Sequence, residues 1–168
     1  MAIMTREQYQ ASIRARKPMN VWFLGEQIQD LTTYPPLAAS FNAISKVYEL
    51  QSHPDWEKLI TVKSHLNGEQ VSIYNAPLQS PDDANRKTRA ARALAEVIGC
   101  CTHRCTGSEA FAGLGPCTYD MDQDLGTDYF QRFMRFLDYV QKNDLSCTVT
   151  VTDVKGLRTL SPSKQPNR

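Results

Sequence analysis

Several features are missing from this chain, and each absence removes a class of answer. No stretch of its 168 residues approaches the roughly 18 consecutive apolar residues of a membrane-spanning helix. The amino terminus lacks the charged-then-apolar order of a secretory leader. Charge of one sign is not in excess: 19 basic and 18 acidic residues leave +1, and no basic, aromatic-interleaved stretch offers a nucleic-acid surface. No internal repeat is present, and no Cys-x-x-Cys pair of the zinc-ribbon or thioredoxin-like kind occurs. Histidine is scarce, with three in all and none after His103. These absences predict a cytoplasmic protein that neither enters a membrane nor binds nucleic acid.

What is present suits a folded domain. The chain is 41% hydrophobic and 22% charged, enough apolar surface to bury a core in one domain, or in one domain plus part of another. Five cysteines (Cys100, Cys101, Cys105, Cys117 and Cys147) make an odd number, which argues for thiols or metal ligands over a disulfide framework.

Most of the chain carries helical signals. Thr5 and Gln8 have the spacing of a capping box ahead of a short helix stopped by Pro18. Val21–Leu24, Gly25-Glu26 and Gln27–Gln29 predict a small hairpin. Pro35 and Pro36 open a second helix that ends at His53-Pro54, with Leu37, Phe41, Ile44, Val47 and Tyr48 along one face. Leu59–Leu66 and Glu69–Tyr74 flank Asn67-Gly68, which predicts a second hairpin with a type I′ turn or an irregular loop pair. Ser80-Pro81-Asp82-Asp83 starts a helix to about Ile98, whose Arg86, Lys87, Arg89 and Arg92 form either a solvated face or an anion-binding one. Ser108–Asp122 predicts a helix interrupted at Gly113, Gly115 and Pro116, and Thr127 caps a helix over Asp128–Lys142 with Phe130, Phe133, Met134, Leu137 and Val140 facing a core.

The period then changes. Cys147, Val149 and Val151 alternate with Thr148, Thr150 and Thr152, the pattern of a strand with one hydroxyl face. The fold class is therefore mainly α, with residues 1–144 as a helical amino-terminal domain with small hairpins and 145–168 as the incomplete start of a β domain. The polar, proline-rich tail has the composition of a loop cut open. A lone strand needs partners supplied from elsewhere.

Cys101 and Cys105 stand four residues apart, so on a helix both sulfurs face one way. Their chemistry alone allows zinc, an iron-sulfur cluster, or two small residues packed between helices. Arg104 places positive charge beside them, which favours thiolates. His103 would project about 160–200° from either cysteine on a helix, which sets it against being a third ligand to the same ion. Lys155 and Arg158, in a segment of turn composition, are candidate phosphate contacts.

Together these segments resemble the superfamily of flavoproteins that contains 4-hydroxyphenylacetate 3-hydroxylase and 4-hydroxybutyryl-CoA dehydratase. The resemblance runs in order through Thr5–Tyr9, Leu59–Leu66, Gln79–Asp83, Cys101-x-x-x-Cys105-x-Gly107, Gly126–Tyr129, Tyr139–Leu145 and Thr152–Arg158. It implies an acyl-CoA dehydrogenase-like fold, of which this chain is the amino-terminal third. It further implies FAD, with Thr152, Lys155, Arg158 and His103 as cofactor-binding positions, and a homo- or hetero-tetramer completed by a carboxy-terminal half or a separate large subunit. The dehydratase branch carries a 4Fe-4S cluster, and Cys101 and Cys105 match its two amino-terminal ligands. That branch converts 4-hydroxybutyryl-CoA to crotonyl-CoA and isomerises vinylacetyl-CoA, so an acyl-CoA substrate is implied; no catalytic residue is assigned in this chain.

Two other functions compete with that one. A reduced-flavin aromatic hydroxylase would leave the cysteines merely packed, but that branch usually has a histidine on the strand after the Asn-Asp-Leu segment, and none follows His103 here. A non-catalytic scaffold subunit would keep the helical domain alone.

Overall fold

The computed structural model describes residues 3–16, 20–99, 104–149, 156–157 and 159–166. Six α-helices and two antiparallel hairpins make up the described regular structure, apart from two short 3₁₀ turns. Helix α1 (Arg6–Arg14) begins at the expected capping box, with Thr5 accepting from the Gln8 amide and the Gln8 side chain accepting from the Thr5 amide. Strands β1 (Val21–Phe23) and β2 (Glu26–Ile28) pair antiparallel. The turn between them is Leu24-Gly25, one residue earlier than expected, and both residues have positive φ (48° and 87°), as a type I′ turn requires.

Helix α2 (Pro35–Gln51) is followed by α3 (Pro54–Ile60), which takes in Leu59 and Ile60, the first residues of the run expected to form the hairpin's leading arm. His53 caps α3 by accepting the Asp55 amide, and Pro54 supplies the first-turn geometry, so local capping overrides the apolar run at Leu59-Ile60. The second hairpin is correspondingly short: β3 (Thr61–Lys63) pairs with β4 (Gln70–Ser72) in the register Thr61↔Ser72. Its loop is the irregular alternative, longer than a two-residue type I′ turn. Asn67 accepts the Glu69 amide through its own side chain, and Gly68 alone takes positive φ (74°).

Helix α4 (Pro81–Ile98) has the expected Ser80 cap and stops at Gly99, which takes the left-handed conformation at φ 72°. Helix α5 (Cys105–Leu125) starts three residues before the expected position and continues through Gly113, Gly115 and Pro116. Helix α6 (Tyr129–Lys142) is capped from a distance. The Asp122 carboxylate, near the end of α5, accepts the amides of Tyr129 and Phe130 and the Thr127 hydroxyl, so Thr127 supports the cap through Asp122 instead of capping directly. Residues 145–149 form no strand, having no pairing partner among the described residues, and 150–155 lie outside them.

The core has four apolar groups among the described residues, the smallest being Val71 and Ala76 with Val62 against them. Val47, Leu50, Ile60, Ala90 and Leu94 join α2, α3 and α4 beneath the 3₁₀ turn Ile73–Asn75. Phe111 of α5 meets Phe133, Leu137 and Val140 of α6, with Leu145 and Cys147 against them. Tyr9 stacks on Tyr48 at 4.2 Å, which seats α1 on α2. No helix among the described residues is long and apolar enough to cross a membrane.

Candidate functional site

One buried polar cluster lies where these groups meet. Arg104, the residue before α5, is 1% exposed, and its Nη2 donates to Asp144 Oδ1 at 2.8 Å; Asp144 is 0% exposed. Burial on this scale is tolerated only when every charge is paired and further hydrogen bonds satisfy the remaining lone pairs. The Asp144 carboxylate meets that condition at both of its oxygens. Asp144 also accepts from the Met4 amide (3.0 Å), from Asn75 Nδ2 (3.3 Å) and from Gln51 Nε2. Arg104 donates to Gln51 Oε1 and to the Leu145 carbonyl, and its guanidinium lies 4.9 Å from the centre of the Tyr48 ring. The Tyr48 hydroxyl donates to the Asp144 carbonyl at 2.8 Å.

The electrostatics follow from this geometry. Desolvation works against the Arg104 charge, but the adjacent Asp144 carboxylate, Tyr48 and Cys147 together outweigh it and hold the pKa above the ordinary arginine value. Tyr48 is pushed well above the usual tyrosine range by burial, with Arg104 opposing. Asp144 adopts positive φ (43°), an uncommon conformation outside glycine, though Asp is among the residues that tolerate it. This turns the chain from α6 into the 145–149 segment while both carboxylate oxygens stay inside the cluster.

Through this cluster the amino terminus, α2, the Ile73–Asn75 turn, the start of α5 and the end of α6 are tied together. Cys105 is the first residue of α5 and is half-buried, one position after the fixed Arg104. On the same turn Gly107 runs against the chain after α6: a Cβ there would lie 2.2 Å from the Cys147 carbonyl oxygen. Only glycine allows that approach. Thr106 and Thr148 hydroxyls are 3.4 Å apart beside it. Burial raises the pKa of the Cys147 thiol, against a lowering contribution from Arg104. A second tether holds the same turn from α4, where Lys87 Nζ donates to Ser108 Oγ at 2.6 Å.

Of the residues marked by sequence, Cys105 is placed in this site. Cys101 and His103, and the flavin positions Thr152, Lys155 and Arg158, lie outside the described residues. Among the described residues no group of three or more His, Cys, Asp or Glu side chains gathers as a metal site. The Arg104 guanidinium is directed into the core and bonded to Asp144, so it also anchors the segment ahead of Cys105. Asp144, Gln51 and Asn75 were not marked as site residues. They lie 40, 53 and 29 positions from Arg104, so no local spacing betrays the cluster.

The profile of the protein family described as 4-hydroxyphenylacetate 3-hydroxylase N terminal matches residues 5–168. The chain belongs to this family. Over 163 residues it is 37% identical to the 4-hydroxybutyryl-CoA dehydratase/vinylacetyl-CoA-Delta-isomerase of Clostridium aminobutyricum, covering 97% of this chain and 33% of that protein. It is 22% identical to the 4-hydroxyphenylacetate 3-monooxygenase oxygenase component of Thermus thermophilus, with the same coverage. A 4-hydroxybutyryl-CoA dehydratase structure from N. maritimus superposes with a TM-score of 0.88 at 30% identity, over 98% of this chain and 32% of that one. The oxygenase component of 4-hydroxyphenylacetate 3-monooxygenase, solved with FAD and 4-hydroxyphenylacetate, shares the fold at a TM-score of 0.70 and 21% identity, over 96% of this chain and 33% of that one. The chain thus spans about a third of the length of the relatives it matches.

Proposed function

We propose that this chain is the amino-terminal part, or a subunit, of a flavin- and iron-sulfur-dependent dehydratase of the 4-hydroxybutyryl-CoA type that also isomerises vinylacetyl-CoA. The observation carrying this reading is an asymmetry: across the same span of 163 residues, identity is 37% to the dehydratase and 22% to the monooxygenase. The remaining two-thirds, as a carboxy-terminal part or a separate large subunit, would complete the active site and a tetrameric assembly.

The donor chemistry fits a cluster in part. A half-buried thiol at Cys105, opening a helix anchored by the Arg104–Asp144 pair, is the kind of ligand iron-sulfur clusters take. Cys101 would be its companion, and the other ligands would come from outside this chain. FAD would lie near His103, Thr152, Lys155 and Arg158. Bound flavin and cluster would supply the redox chemistry. The chain's own part is to hold thiolates in place: the buried ion pair fixes the backbone ahead of Cys105, and Gly107 lets the post-α6 segment reach the same turn.

The test is anaerobic purification of the complete enzyme containing this chain, followed by iron and flavin determination. Iron bound stoichiometrically with flavin, and lost in Cys101→Ser and Cys105→Ser proteins that keep their fold, is the expected outcome. Iron undiminished in the double variant, or flavin-bound enzyme without iron that hydroxylates a phenol using oxygen, would overturn it.

A further inference from the structure

Away from the Arg104–Asp144 cluster, a recess of about 180 Å³ opens between the β3–β4 hairpin and α4. Lys63, His65, Asp83, Arg86 and Lys87 line it. Two of its cations, Arg86 and Lys87, are held in place but not neutralised. Arg86 Nη2 donates to the Thr61 carbonyl at 2.7 Å and to the Lys58 carbonyl, which pins the guanidinium against the end of α3. Nε and Nη1 of Arg86 have no hydrogen-bond partner among the described residues. Lys87 Nζ uses two of its three donors, on the Ala76 carbonyl (3.3 Å) and Ser108 Oγ (2.6 Å). Neither cation is bonded to a carboxylate among the described residues, and Asp83 spends one oxygen on the Gln79 amide at 3.0 Å.

Charge and size narrow the occupant. Lys63, Arg86 and Lys87 contribute three positive charges and Asp83 one negative, so the ring carries 3 − 1 = +2 with His65 neutral. That balances a phosphate monoester, which carries about −1.5 to −2 at neutral pH. A pocket for a whole cofactor or drug-sized ligand has roughly 300–1,000 Å³, so a recess of about 180 Å³ suits a single small anion. Desolvation lowers the pKa of Lys87, with Glu109 and Asp83 opposing, and an anion in the recess would relieve that cost.

We propose that this recess binds a phosphate group, held by the open donors of Arg86, Lys87 and Lys63. The inference does not depend on the reaction proposed above. The phosphate can be free, or it can be one end of a larger ligand. An apolar cleft of about 380 Å³, lined by Phe111, Phe133 and Leu137, shares with the recess the wall formed by His65, Ala76, Pro77 and Leu78, so a phosphate ester with an apolar body can occupy both.

Calorimetric titration of the full chain at low salt with inorganic phosphate, coenzyme A and phosphate-free pantethine tests this. The expected result is saturable phosphate binding, weakened about tenfold or more in Lys63→Gln and in Arg86→Gln, since each removes a charge-assisted hydrogen bond. Coenzyme A binding more tightly than phosphate, with the same loss in both variants and no loss for pantethine, assigns the group to a larger ligand. Coenzyme A binding no more tightly leaves free phosphate as the ligand. The exposed Lys63 side chain makes no hydrogen bond or ion pair among the described residues, so its variant decides the matter even if Arg86→Gln loosens α3 from α4. Absence of saturation with both phosphate and coenzyme A, or affinities in Lys63→Gln within twofold of the parent, would overturn the proposal.

Discussion

Replacing Arg104 by Met removes the guanidinium and strands the Asp144 carboxylate in a site that is 0% exposed. Breaking a buried pair from one side costs about 3–5 kcal/mol, because the surviving charge stays desolvated. Three other donors still reach Asp144, from Met4, Gln51 and Asn75, which places the cost toward the lower end. Asp144→Asn is the reciprocal change and has a different defect. Both carboxylate oxygens accept hydrogen bonds, so an amide must turn its NH₂ toward donors on one side while Arg104 loses its counter-charge. With a urea m-value of about 2 kcal/mol/M, each single variant should lower the unfolding midpoint by about 1.5–2.5 M. Domains are commonly stable by about 5–15 kcal/mol, so both remain measurable by circular dichroism. The double variant should cost less than the sum, with a coupling of about 2 kcal/mol. The exposed Arg92–Glu96 pair is the control, and Arg92→Ala should leave the curve unmoved. Single-variant costs below about 1 kcal/mol, or strictly additive costs, would refute the claim that this pair organises the site.

Two glycines on α5 should respond in opposite directions. Gly107→Ala forces a Cβ against the Cys147 backbone and should cost up to about 3 kcal/mol, whereas Gly113→Ala, with open space around it, should gain about 0.5–1 kcal/mol; thermal melts of both chains check the signs. At Asp122, burial works against the charge, but bonds from Thr127 and from the Phe130 and Tyr129 amides outweigh it and hold the pKa below the usual carboxylate range. A lowered folded pKa means that the unfolded chain binds more protons in acid. The contribution is therefore fully present above the ordinary pKa of about 3.9 and is lost as pH falls through the lowered folded value. Asp122→Asn should flatten that part of the stability-against-pH curve, and an unchanged curve would show that the cap does not carry it.

Local chemistry made much of the fold legible. The Thr5–Gln8 capping box, the Ser80-Pro81 helix start and the apolar face of α6 each depend on residues within a few positions, and each forms where the sequence placed it. Open alternatives and misreadings arose where a neighbour in space decided the outcome. Asn67-Gly68 has the composition of a tight turn, yet Asn67 also donates to Asp138 and Ser64 to Gln141, so α6 draws the chain into a wider loop. The helix α3 hid behind an apolar run because its cap, His53, is an unusual capping residue. Glycine and proline within α5 suggested breaks, but Phe111 against Phe133 and Tyr119 against Phe130 hold the helix to α6 along its length. At the candidate site the thiol at Cys105 was visible from sequence. The structure supplied its support, because an arginine and an aspartate 40 residues apart announce nothing until the chain folds.

The most direct measurement of the functional claim is anaerobic conversion of vinylacetyl-CoA to crotonyl-CoA by the complete enzyme containing this chain, followed in parallel for the Cys101→Ser and Cys105→Ser variants. The account predicts isomerisation by the parent enzyme and its loss in both variants while flavin stays bound. Full activity in either variant, or an enzyme that ignores the thioester and hydroxylates a phenol with oxygen, would contradict it.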